Sequence, residues 1–66
     1  MTLTVNGDPR ELPSGATLAD LVTQVVPSAQ GIAAAVDGTV VPRRAWDATP
    51  LADGSAVEIV TAVQGG

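Results

Sequence analysis

Only one stretch of this chain carries a helical repeat, and it is bounded at both ends. Leu18, Leu21, Val22, Val25 and Val26 fall at i, i+3, i+4, i+7 and i+8, the spacing of an apolar stripe down one face of an α-helix. Thr17 precedes the stripe and Asp20 stands three residues later. A hydroxyl and a carboxylate so placed can exchange hydrogen bonds with the first-turn backbone as a capping box. Asp20 also lies where the helix dipole favours a negative charge. Pro27 closes the stripe, because the residue before a proline avoids the α region. A single short helix cannot bury its own stripe. It needs a sheet to lie on, and the chain has 66 residues in which to build one.

The remaining segments read as that sheet. Thr2-Leu3-Thr4-Val5-Asn6 alternates polar and apolar residues, with Leu3 and Val5 inward. Asn6-Gly7-Asp8-Pro9 predicts a turn, and Arg10-Glu11-Leu12 returns as a short strand with Leu12 inward. Pro13 to Ala16 and Ser28 to Gly31 read as loops. Ile32-Ala33-Ala34-Ala35-Val36 is ambiguous alone, because alanine favours helix. The Asp37-Gly38 turn signal and the β-branched Thr39-Val40-Val41 after it make residues 32–36 and 39–41 a second hairpin. Its alanines leave room for the helix to approach closely. Pro42 ends that strand, and residues 42–46 predict one helical turn or a loop. Asp47 to Leu51 connect onward, Asp53-Gly54 is another turn, and Ala56 to Val63 is the longest β-like run, expected as a central strand. The order strand, strand, helix, strand, strand, strand predicts a two-layer α+β domain over residues 1–63, with 64–66 as a mobile tail.

Composition removes most chemistry. The chain has no Cys, His, Lys, Tyr or Phe. Disulfides, thiolate metal sites, an imidazole base and a lysine Schiff base are therefore excluded. Ser14, Ser28 and Ser55 have no histidine to activate them. The seven acids, among them Asp8, Glu11, Asp37, Asp47, Asp53 and Glu58, recur at no metal-ligand spacing and read as solvated charges. No glycine-rich phosphate loop occurs. A net charge of −4 and a pI near 4.1 argue against nucleic acid and anionic membrane as partners. The longest apolar run, Ile32 to Val36, is far short of a membrane span, and the first residues lack the pattern of a secretion signal, so a cytoplasmic location is expected.

Three features remain. Arg43 and Arg44 form the only basic cluster, either a solvated pair or a patch for an acidic or phosphate-bearing partner. Trp46 is the only aromatic residue, either a lid over the aliphatic core or an interface anchor. Gly65-Gly66 ends the sequence, and chance places two glycines there on the order of 1% of the time, given average usage. A segment without side chains can thread a narrow channel, and the group it presents is an unhindered α-carboxylate, ionised at neutral pH.

These residues resemble the ThiS family, sulfur carriers of thiamine thiazole synthesis within the ubiquitin-like β-grasp superfamily. The likeness covers essentially the whole chain. It includes Val5-Asn6-Gly7, Leu12, Thr17-Leu18 with Leu21, and Asp37-Gly38. It continues through Val41-Pro42-Arg43, Trp46, Thr49, Leu51, Asp53-Gly54 and Val57-Glu58-Ile59-Val60, and closes on Ala62-Val63-Gln64-Gly65-Gly66. The Gly-Gly end alone marks only the superfamily. Val-Pro-Arg, with Trp three residues later and this ending, is much more specific. Ser55 and Arg44 depart from residues the family often carries there.

The resemblance implies a β-grasp, a mixed sheet of about five strands packed on one main helix. It implies that Gly66 is the point of sulfur attachment, and that Gly65, Gln64 and Val63 are recognised as a tail. Arg43, Arg44 and Trp46 are the candidate partner surface. A ThiF-type adenylyltransferase, using its own ATP and magnesium, would convert the Gly66 carboxylate to an acyl-adenylate. Sulfur from a persulfide protein would displace AMP to give a thiocarboxylate, and the ThiG thiazole synthase would consume it. The carrier itself would bind no cofactor and catalyse nothing. MoaD-like delivery to molybdopterin, another thiocarboxylate pathway, a ubiquitin-like modifier and a plain interaction module are the competing readings.

Overall fold

The computed structural model describes residues 1–26 and 31–61. Its strands are β1 (Thr2–Val5), β2 (Asp8–Glu11), β3 (Ile32–Val36), β4 (Thr39–Val41) and β5 (Ala56–Thr61). The helix α1 spans Leu18–Val25, and a 3-10 helix spans Arg43–Ala48. The five strands form one sheet in the order β2-β1-β5-β3-β4. β1 and β5 run parallel at its centre and every other pairing is antiparallel, so the sheet is mixed and the fold is the expected β-grasp.

The helix forms where the stripe places it. The Thr17 hydroxyl accepts from the Asp20 N–H at 3.3 Å, and the Asp20 carboxylate accepts from the Thr17 N–H at 2.9 Å. Both halves of the capping box are therefore made, which satisfies two backbone donors that the helix itself leaves unpaired. Leu18, Leu21 and Val22 are almost fully buried, with Val25 and Val26 packed at the margin. The stripe presses on Leu3 and Val5 of β1, Ala34 of β3, and Val57 and Ile59 of β5, which belong to the same buried cluster. Burying each such aliphatic side chain stabilises the fold by about 2 kcal/mol. The expected role of Pro27 in ending the helix, and the loop at 28–30, lie outside the described residues.

The first hairpin is tighter than the sequence suggests. Its turn is the two residues Asn6 and Gly7, at φ of 52° and 86°, which matches the right-handed twist of the flanking strands. Asp8 and Pro9 therefore belong to β2, opposite Val5 and Thr4. Proline is tolerated there because β2 is an edge strand. The Thr4 N–H turns the other way, to the Ser55 carbonyl at 3.0 Å, so the Thr4 level of the hairpin asks no hydrogen bond of Pro9. The second hairpin has the expected strands, again around a turn with two positive φ values, Asp37 at 50° and Gly38 at 85°.

The connection after β4 is more regular than expected. Pro42 caps the 3-10 helix, which reaches Ala48. Two short contacts then tie this segment to the helix start: the Leu18 N–H donates to the Thr49 carbonyl and the Leu51 N–H to the Ala16 carbonyl. Two acids read as solvated prove to be backbone acceptors. Asp53 accepts from the Thr2 N–H at 2.6 Å, and Asp37 from the Ala56 N–H at 2.9 Å. Ser55 is buried, with its hydroxyl accepting from the Ala52 N–H.

Candidate functional site

Val63, Gln64, Gly65 and Gly66 lie outside the described residues. The site is therefore built from the strand that leads to them. β5 is central, with β1 on one side and β3 on the other. Its pairing with β3 runs from Val36 opposite Val57 to Ile32 opposite Thr61, the whole length of β3. Its pairing with β1 is shorter, Thr4 with Ala56 and Val5 with Val57, and finishes with the Asn6 N–H donating to the Val57 carbonyl at 2.8 Å.

At that point β1 turns away into the hairpin, and a side chain takes over. The Asn6 Nδ2 donates to the Ile59 carbonyl at 3.0 Å, and the Asn6 Oδ1 accepts from the Ile59 N–H at 2.9 Å. A carboxamide has the same donor and acceptor pair as a peptide unit. Asn6 thus extends the β1 side of the ladder by one position without any strand there. Asparagine also tolerates the left-handed backbone that the turn requires. The residue has two jobs, and no other common side chain meets both.

The partner-surface candidates separate in the structure. Arg43 and Arg44 are exposed at the start of the 3-10 helix. Trp46 is only 5% exposed, and its Nε1 donates to the Val41 carbonyl at 2.9 Å. The reading of Trp46 as a lid is borne out and its place on the partner surface is corrected: the indole belongs to the buried cluster, because a large apolar ring with one polar edge is best placed with the ring inside and the N–H on an edge strand.

The outer sheet face is a feature that the sequence reading did not single out. Val40 is 71% and Val60 58% exposed. With Ala33, Ala35 and Glu58 they line a shallow groove of about 190 Å³. Val40, Ala35 and Glu58 form one row across three strands, and Ala33 with Val60 forms the next. Arg43 and Arg44 do not line it. Its signal was in the alternation, because Val57 and Ile59 facing in leaves the apolar Val60 facing out. The face ends one residue before Thr61, the last described residue of β5. A larger, more open depression of about 440 Å³ lies by Pro13 to Ala16, Asp20, Thr23 and Gln24, and holds none of the candidate residues. Among the described residues no three carboxylates stand close enough to hold a metal ion, and no helix is long and apolar enough to cross a membrane.

Comparison with known proteins agrees with this geometry. The model of the ThiS family matches residues 3–66. A crystal structure of the thiamine biosynthesis protein ThiS from Geobacter metallireducens is 35% identical, with a TM-score of 0.87 and full coverage of both chains. A solution NMR structure of a thiamine biosynthesis protein from the same organism is 35% identical, with a TM-score of 0.77, covering 100% of this chain and 88% of that one. The search of curated proteins gave no match.

Proposed function

The chain belongs to the ThiS family, and from that premise we propose that it is a sulfur carrier of thiamine biosynthesis, loaded at the Gly66 carboxylate. The observation that carries the reading is the family match through residue 66, which takes in the whole Val63-Gln64-Gly65-Gly66 ending. The chemistry follows from what a carboxylate lacks. It is a poor electrophile, so a partner of the ThiF type, supplying ATP and magnesium, joins it to AMP with loss of pyrophosphate. The terminal sulfur of a persulfide then displaces AMP and leaves an acyl disulfide. Cleavage by a thiol releases the thiocarboxylate, which a ThiG-type thiazole synthase consumes. The carrier contributes a docking surface and a handle, performs no catalysis, and works in the cytoplasm with its partners.

Intact-mass analysis of the protein from thiamine-starved cells tests this. A fraction with one oxygen replaced by sulfur at Gly66 is expected. Deleting Gly66 should abolish loading and leave the melting temperature unchanged. Only the carboxylate form, with the adenylyltransferase present, would refute the reading, and isopeptide adducts to other proteins would replace it with a modifier.

A further inference from the structure

The paired hydrogen bonds of Asn6 lie at the last part of the sheet before the segment that ends in Gly66. We infer that Asn6 is a positioning residue for that segment, holding the end of β5 from the side where β1 has already turned away; this rests on the carrier reading above. Two features distinguish Asn6 from an ordinary turn asparagine. Its carboxamide bonds are long-range, to a residue 53 positions away, and both face the backbone of a single residue. A turn needs only the positive φ of Asn6, which glycine supplies equally well. The carboxamide is surplus to the turn and serves β5.

The consequence is a matter of tether length. Past Val57, β5 is held by β3 on one side and by Asn6 on the other. Five residues follow Thr61 in the sequence, and nine follow Val57. The effective concentration of a tethered group falls roughly as the −3/2 power of tether length. Loss of the Asn6 bonds leaves Ile59 to Thr61 paired to β3 alone, so the strand end frays more often, and full fraying back to Val57 limits the loss in delivery of the Gly66 carboxylate to a docked partner to about two- to threefold. The loss belongs in kcat and not in KM, because the rest of the domain surface still docks.

The test compares Asn6→Gly, Asn6→Asp and Val22→Ala with the wild type in carrier-dependent exchange of labelled pyrophosphate into ATP by the adenylyltransferase. Asn6→Gly keeps the turn and removes both bonds. Asn6→Asp keeps the acceptor for the Ile59 N–H and loses the donor. Val22→Ala destabilises the fold from the helix layer alone. All are assayed well below their melting temperatures, with hydrogen exchange of the Ile59 amide followed in parallel. The expected result is a kcat lower by up to about two- to threefold for Asn6→Gly at unchanged KM, an intermediate value for Asn6→Asp, and a wild-type kcat for Val22→Ala. Faster Ile59 exchange is expected in Asn6→Gly only. If Asn6→Gly and Val22→Ala give the same kcat while the wild type is adenylylated, the positioning role is overturned and the carrier reading stands. If the wild type supports no exchange, the carrier reading itself falls.

Discussion

Replacing Trp46 by phenylalanine measures the lid directly. The ring is 5% exposed, and its Nε1 makes a 2.9 Å bond to the Val41 carbonyl. Phenylalanine loses that bond, worth about 1 kcal/mol net. It also buries roughly 40 Å² less apolar surface, worth about 1 kcal/mol at 25 cal/mol per Å². No large desolvation penalty adds to these, because Val41 lies opposite Ala34 at a hydrogen-bonded position of the hairpin, so its carbonyl keeps the ladder bond when the indole is lost. The sum, about 2 kcal/mol, is a large share of the roughly 3–10 kcal/mol expected for 66 residues. It corresponds to a fall in Tm of about 8–16 °C for a domain of this size. Far-UV circular dichroism follows the melt, since the variant has no fluorophore. In the wild type, Trp46 is the only aromatic residue, so its emission reports this site alone. Blue-shifted emission and weak quenching by acrylamide are expected. A shift in Tm under about 2 °C, or emission like that of free indole, would refute the burial on which this reasoning depends.

Other expectations follow from single contacts. Thr17→Ala removes half of the capping box and should cost about 1 kcal/mol in urea denaturation; a cycle with Asp20→Ala should show coupling, and strict additivity would mean the reciprocal bonds contribute nothing. Gly38→Ala should cost about 1–2 kcal/mol from backbone strain alone, because Gly38 sits at φ +85° and an added Cβ meets no atom within 4 Å; a loss above about 3 kcal/mol would point to a steric clash that this geometry does not contain. The double charge reversal Arg43→Glu with Arg44→Glu should leave stability within about 0.5 kcal/mol, since both side chains are exposed. The same variant should raise KM for the adenylyltransferase at low salt, with the effect shrinking as salt rises; an unchanged KM would make the pair a solvated one.

The elements most legible in the sequence were those set by local chemistry. Thr17 and Asp20 announced the helix start, and the Asp37-Gly38 turn resolved an alanine run that propensity alone would have made helical. The first turn was misjudged by two residues because Pro9 reads as a strand breaker. It breaks only a strand that has neighbours on both sides, and which strand lies at an edge is a property of the whole sheet. The same limit hid the roles of Asp37 and Asp53, whose N–H partners, Ala56 and Thr2, lie far away in sequence. For Trp46 the lid was the favoured of two readings, and the buried ring with its bond to the Val41 carbonyl bears it out. Asn6 was read for its turn, which is local, and its carboxamide bonds to Ile59 were invisible because they exist only once β1 lies beside β5.

The strand order gives the absence of reactive side chains its structural meaning. For the proposed loading at Gly66, the strand that leads to the terminus is best placed where it is least able to peel away. An edge strand is held by one ladder, whereas β5 is held by two, with the parallel pairing to β1 on one flank and the full antiparallel pairing to β3 on the other. Its inward residues Val57 and Ile59 are also covered by the helix layer. Traction on the segment beyond Thr61 must therefore break both ladders and open the apolar core together, which a domain of marginal stability resists best at its centre. Parallel pairing of the first and last strands is what puts β5 there. The hairpin β1–β2 closes locally, the connection from β2 to β3 carries the helix across one face, and the hairpin β3–β4 fills the other edge before the chain returns to β5. The amphipathic stripe of α1, which first demanded a sheet, is thus the layer that fastens the strand leading to the proposed loading site.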